Sequence, residues 1–167
     1  MIYSIKQFFN RIYNLYRWFP IIWKDQDWDQ HYIYEILKFK LENQARHIGD
    51  NNRHLNAKRY AEIMRLCCKL IDKVSNEYYI EESHDCQQSD FHIDENGHLQ
   101  VKVLHEDYSE FFMKYKKSYN QVISMKKPIV SIDTDFGIAL SIGLLNHSRA
   151  KKLLFRIMEK NISLWWD

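Results

Sequence analysis

The chain has 167 residues, 46% hydrophobic and 28% charged, with a formal net charge of +2. That is enough material for one hydrophobic core and too little for two comfortable domains, so a single domain is expected. Four glycines and two prolines argue against a turn-rich sandwich or barrel and for long helices, and the small net charge argues against generic binding to duplex nucleic acid.

The aromatic residues crowd one end: Tyr3, Phe8, Phe9, Tyr13, Tyr16, Trp18, Phe19, Trp23, Trp28 and Tyr32 all precede position 33, which suits a core or an interface. Cys67, Cys68 and Cys86 form no CxxC pair, and neighbours on a helix cannot point the same way. Neither a disulfide framework nor a zinc site follows, and a reducing cytosol fits best. The apolar start is interrupted by Lys6, Gln7, Asn10, Arg11, Asn14 and Arg17, so neither a signal peptide nor a spanning helix is expected.

In chain order, Ile5, Phe9, Ile12, Tyr16 and Phe19 recur at helical spacing and predict a first helix over Tyr3 to Phe19, ended by Pro20. Residues 1 to 24 carry Lys6, Arg11, Arg17 and Lys24 and no acid. Such a face could meet a membrane surface, an anionic ligand or an acidic helix, but the plainer reading is a core helix with solvated cations. A second helix is expected from about Asp29, a residue able to cap it, to His47-Ile48 before Gly49. Its inward face would be Ile33, Ile36, Leu37, Leu41, Ala45 and Ile48. A third, over Asn56 to Tyr79, would bury Tyr60, Met64, Cys67, Ile71, Val74 and Tyr78.

Between Val74 and Val101 there is no lysine or arginine, while Glu77, Glu81, Glu82, Asp85, Asp90, Asp94 and Glu95 accumulate. This predicts an exposed acidic excursion at about 80–105. Within it, Phe91 to Ile93 and His98 to Val103 flank Asp94-Glu95-Asn96-Gly97, a hairpin signal. A fourth helix fits Glu106 to Ser124, with Tyr108, Phe111, Phe112, Tyr115, Tyr119 and Val122 inward, before Lys126-Lys127-Pro128. Ile132 to Leu145 could be a buried helix or a strand and turn, length favouring the helix. Ser148 would cap a last helix burying Leu153, Leu154, Ile157, Ile162 and Trp165. The expected architecture is thus mainly α: a single-domain helical bundle of five or six helices with a small β-hairpin insertion.

Chemistry concentrates between positions 23 and 32. Asp25, Asp27, Asp29 and His31 alternate, so an extended backbone would set them on one side, where they could hold a hard divalent cation such as Mg2+. A calcium-loop glycine and distal glutamate are missing. The plainer reading is a helix cap with two dipole-complementing acids, each effect worth about 0.3–2 kcal/mol. His31 and Glu35, four apart, could serve in general-base work or as half of a metal site. Elsewhere, Arg17, Lys24, Arg46, Arg53, Arg59, Arg65, Arg149, Lys151 and Lys152 could converge on phosphate, Arg17, Lys24, Arg59 and Arg65 foremost, while Trp23, Trp28 and Tyr32 stack on a ligand.

The run Arg17-Trp18-Phe19-Pro20-Ile21-Ile22-Trp23-Lys24-Asp25-Gln26-Asp27-Trp28-Asp29, the helix through Ile36 to Leu41, and the terminal Trp165-Trp166-Asp167 together resemble a family of small uncharacterised bacteriophage proteins. The resemblance covers the two ends and the second and third helices and carries no catalytic residues with it. It implies an accessory factor in the cytoplasm of an infected bacterium, acting on host, phage or defence components. On that footing the expected function is binding rather than turnover: counter-defence or host takeover, by capturing an anionic ligand such as a signalling nucleotide or by masking a host protein. Two other readings are a metal-dependent hydrolase or nuclease using Asp25, Asp27, Asp29, His31 and Glu35, and peripheral membrane attachment through the first helix, although a membrane partner is not expected. Aromatic residues at both ends could also join copies of the chain.

Overall fold

Helical periodicity governs most of the chain, and the one sequence with alternating apolar residues forms the one sheet found among the described residues. The computed structural model describes residues 2–24, 29, 31–51 and 56–165. The architecture is mainly α with a small antiparallel hairpin, as expected. Seven α-helices are described where five or six were expected, because two long predicted helices are each broken. The chain divides into two compact units, residues 1–68 and 69–167.

The first unit holds α1 (Ile2–Ile22), α2 (His31–Asn51) and most of α3 (Ala57–Ser75). Pro20 lies inside α1 instead of ending it. Proline removes only one amide donor, and the chain keeps turning because Trp23 N–H donates to the Phe19 carbonyl at 2.8 Å. Trp18 packs on Phe39 with ring centroids 4.7 Å apart, and Arg17 donates to Asn43, so α1 and α2 run antiparallel. Gly49 likewise fails to stop α2. A Cβ there would stand 3.3 Å from the Ala61 Cβ, so this glycine admits a close approach of α3. The Cys68 thiol donates to the Lys38 carbonyl at 3.9 Å. Leu41, Ala45, Ala61, Met64, Cys67 and Cys68 are buried, while Ile33 and Ile36, expected inward, are exposed.

The predicted third helix stops at Ser75, and α4 (Tyr78–His84) starts afresh after Glu77, whose φ of 48° is left-handed. The acidic stretch is therefore not wholly an excursion: within the second unit α4 packs along α7 (Asp135–Asn161), with Ser83 fully buried. Gly143 of α7 makes that contact possible, since a Cβ there would lie 2.6 Å from the Tyr79 carbonyl oxygen. His84 meets Phe136 at 5.4 Å, so α4 and α7 are antiparallel.

The hairpin pairs β1 (Gln87–Ile93) with β2 (Leu99–Glu106), closing on Ile93 opposite Leu99. Asp94 caps its turn by accepting from the amides of Asn96 and His98, both at 2.9 Å, and Gly97 takes the required positive φ of 82°. Glu106 belongs to β2, so the predicted fourth helix begins later and breaks at Tyr115 into α5 (Ser109–Lys114) and α6 (Lys116–Ile123). Tyr108, Phe111, Val122, Ala139 and Ile142 form this unit's core, with Phe112, Tyr115 and Tyr119 partly buried against it. Thr134, not Ser148, caps the last helix, accepting from Gly137 N–H at 3.1 Å; Ser148 lies mid-helix in α7. Leu154 and Trp165 are buried, whereas Leu153 and Ile162 are exposed.

Candidate functional site

The expected buried stripe of α1 is on the outside. Placed at about 100° per residue, Ile22, Leu15, Phe8, Phe19, Ile12, Ile5, Trp23, Tyr16, Phe9 and Tyr13 follow one another around an arc of about 180° with no charged side chain inside it. All are exposed, by 46–78%. Arg11 stands at one edge of the arc and Lys6 and Lys24 at the other. The narrower remaining face, with Asn10, Asn14, Arg17, Trp18 and Ile21, is the one turned to α2: Arg17, Trp18 and Ile21 are half-buried there. The reading of α1 as a core helix is therefore overturned. Its best hydrophobic surface is left over after its packing on α2.

At the edge of this arc, α1 and α2 border an open cavity of about 360 Å3 lined by Tyr13, Arg17, Asn43, Arg46, His47 and Asp50. The α2 residues fall at i, i+3, i+4 and i+7, and Tyr13 and Arg17 at i and i+4, so each helix presents one face. Asn43 donates from Nδ2 to the Phe39 carbonyl at 2.8 Å, which turns its Oδ1 toward Arg17. The Arg17 guanidinium also lies 5.5 Å from the Tyr13 ring centroid and 5.8 Å from that of Phe39. It is thereby held in a defined position at low conformational freedom.

Of the residues expected to bind an anion, Arg17 lines this cavity. Trp23 is exposed at the end of α1, 5.3 Å from the Phe19 ring, beside exposed Lys24. Tyr32 is half-buried in the first turn of α2, and Trp28 lies outside the described residues. Arg59 and Arg65 are both exposed on α3 but six positions apart, which turns them about 120° from each other. Arg53 lies outside the described residues. Arg46, another of the basic residues the sequence offered, and His47 take the place expected for Arg59 and Arg65, and the signal that selects them is their helical spacing from Asn43.

Asp25 and Asp27 also lie outside the described residues. Asp29 acts as the cap the sequence suggested: its Oδ1 accepts the His31 amide at 2.8 Å, and its carbonyl accepts from Tyr32 N–H at 3.2 Å. The His31 Nε2 is 3.7 Å from Glu35 Oε1, an exposed pair one helical turn apart. Among the described residues no group of three or more histidine, cysteine or acidic side chains converges as a metal site would.

The second unit contains two polar clusters that sequence reasoning missed. Tyr115 O–H donates to Glu82 Oε2 at 2.6 Å while Lys114 pairs with Oε1. Burial, then Glu82, pushes the Tyr115 phenol well above its usual range, and the Glu82 hydrogen bond raises Lys114. Ser118 O–H donates to Asn146 Oδ1 at 2.7 Å, and Arg149 donates to Ser118 Oγ at 2.9 Å and also to Gln121. Tyr79, Tyr115, Asn146 and Arg149 line a cleft of about 230 Å3 beside these groups. The partners lie 28 to 33 positions apart in sequence, so no local spacing could announce them. The first cluster ties α4 to α5 and the α5–α6 junction, and the second ties α6 to α7. Comparison with known protein families, with curated proteins and with solved structures found no match for this chain.

Proposed function

We propose that this protein is a peripheral membrane-binding protein that lays α1 on an anionic bilayer. The carrying observation is the arc of exposed apolar side chains on α1, bounded by Lys6, Lys24 and Arg11 and free of acids. An interfacial helix needs these features together: an apolar face to enter the acyl boundary, tryptophan and tyrosine at headgroup depth, and cations at the margins that reach lipid phosphates on long apolar stems. Among the described residues no helix is long and apolar enough to cross a membrane, so the helix would lie in the interface. Burying one phenylalanine or isoleucine contributes about 1.5–3 kcal/mol, so a few such side chains suffice for measurable partitioning. The resemblance to small bacteriophage proteins would make the inner face of an infected bacterium's membrane the natural target, with host takeover acting there.

The test is co-sedimentation of the full chain with vesicles of phosphatidylglycerol and phosphatidylcholine, against phosphatidylcholine alone. Wild type is expected to sediment with the anionic vesicles, less so as salt rises. Ile12→Asp and Phe19→Asp, at the middle of the arc, should each lower partitioning at least tenfold while leaving the helical circular dichroism intact. Failure to bind anionic vesicles, or binding indifferent to both substitutions, defeats the proposal. So does a wild-type dimer that Ile12→Asp dissociates and that ignores vesicles, because the arc would then cover a second copy.

A further inference from the structure

We infer that the cavity between α1 and α2 is a site for a phosphate monoester group, presented beside the membrane-facing arc; as a lipid headgroup site it rests on the membrane reading, whereas the phosphate chemistry does not. The argument starts from Arg17. Asn43 accepts one of its protons and is itself fixed by its bond to the Phe39 carbonyl, 2.8 Å away. A guanidinium carries five donors in a planar fork, so this anchoring leaves donors to meet a tetrahedral oxyanion bidentately. Arg46 lines the same cavity from α2, and Tyr13 and His47 add a hydroxyl and an imidazole.

Two guanidiniums face one carboxylate, that of Asp50, so the lining is net positive but not indiscriminately so. A singly charged phosphodiester gains from one fork. A monoester, with up to two charges and three terminal oxygens, gains from both arginines and better offsets the nearness of Asp50. Tyr13 belongs to both the cavity and the exposed arc. The opening therefore lies at the level where a helix embedded through that arc would meet headgroups. Phosphatidic acid and a soluble phosphate ester share the required group, and the assay separates them.

Full-length protein is titrated with vesicles containing phosphatidic acid or phosphatidylglycerol, matched for surface potential, and separately with glycerol 3-phosphate in solution. The expected result is at least fivefold tighter binding to phosphatidic acid, abolished by Arg46→Gln and by Arg17→Lys, with phosphatidylglycerol binding retained in both variants. Glycerol 3-phosphate binding that both variants remove supports the site with a soluble source, and if vesicles are then ignored the membrane reading fails alone. Equal binding of the two lipids, with no binding of glycerol 3-phosphate, overturns the site and leaves the membrane reading standing. A uniform loss of both lipids in Arg46→Gln also overturns it, since that marks a diffuse charge effect.

Discussion

Replacing Gly143 by alanine tests the packing of α4 on α7 directly. In an exposed helix the change would stabilise the chain by about 1 kcal/mol, because alanine restricts the unfolded backbone and glycine does not. Here the new methyl would lie 2.6 Å from the Tyr79 carbonyl oxygen and 3.2 Å from the Ile80 Cα. Both are backbone atoms of α4, so no rotamer change relieves the clash. Overpacking of this kind costs about 1–3 kcal/mol. Because several backbone atoms are involved, the cost falls in the upper part of that range and the net effect is about 1–2 kcal/mol of destabilisation. In a chain of this size that corresponds to a fall in Tm of roughly 2–8 °C. Gly49→Ala is the matched control: its methyl would meet the Ala61 Cβ at 3.3 Å, tight but short of overlap, so α2 and α3 need part by only a few tenths of an ångström. It should be neutral within about 0.5 kcal/mol, or stabilising. Urea and thermal unfolding followed by circular dichroism measure both. A Gly143→Ala protein as stable as wild type would show that α4 is not held this close to α7.

Two further predictions concern pH. Burial raises the Cys67 thiol from 9.0 to about 11, so between those values the folded chain keeps a proton that the unfolded chain loses. Its contribution is complete below pH 9 and disappears as pH climbs through about 11, an effect on the order of 2 kcal/mol. Stability measured from pH 8 to 11 should fall less steeply in Cys67→Ala, and identical slopes would contradict the burial argument. Asp94 behaves in the opposite sense: hydrogen bonds from His98, Gln100 and Asn96 hold its carboxyl below the ordinary value of 3.8. Its support of the hairpin is present above that value and is lost as pH falls through the depressed one. The protection of the His98 amide, its exchange rate relative to the intrinsic rate at each pH, should fall in acid in wild type and show a flatter acid dependence in Asp94→Asn; equal profiles would refute the assigned turn.

Elements governed by neighbours in sequence are legible in the sequence itself. The Asp94 to Gly97 turn is one, because the Asn-Gly pair and the Asp94 side chain satisfy their own backbone within a few residues. The cap at Asp29 is another. The stripe through Met64, Cys67, Ile71 and Val74 is buried as its spacing predicts, since a period of 3.6 marks the face whatever its partner. The break at Glu77 was illegible: no glycine or proline marks it, and the left-handed residue is tolerated there because α4 packs along α7. Gly49 and Gly143 look like helix punctuation, yet both sit within helices, where the absence of a side chain admits another helix.

The same distinction runs through the candidate site. Sequence by itself determined that α1 would be an amphipathic helix with basic residues and no acids, since composition and angular spacing are properties of one segment. Whether its apolar face would be covered depends on which face α2 takes, and α2 takes the other one, through Arg17, Trp18 and Ile21. Likewise the sequence marked Arg17 as an anion ligand, but only tertiary structure selected Arg46 rather than Arg59 or Arg65 to stand with it. Local chemistry sets what each helix can offer; burial and convergence arise between segments distant in the chain, so only the packed structure could decide them.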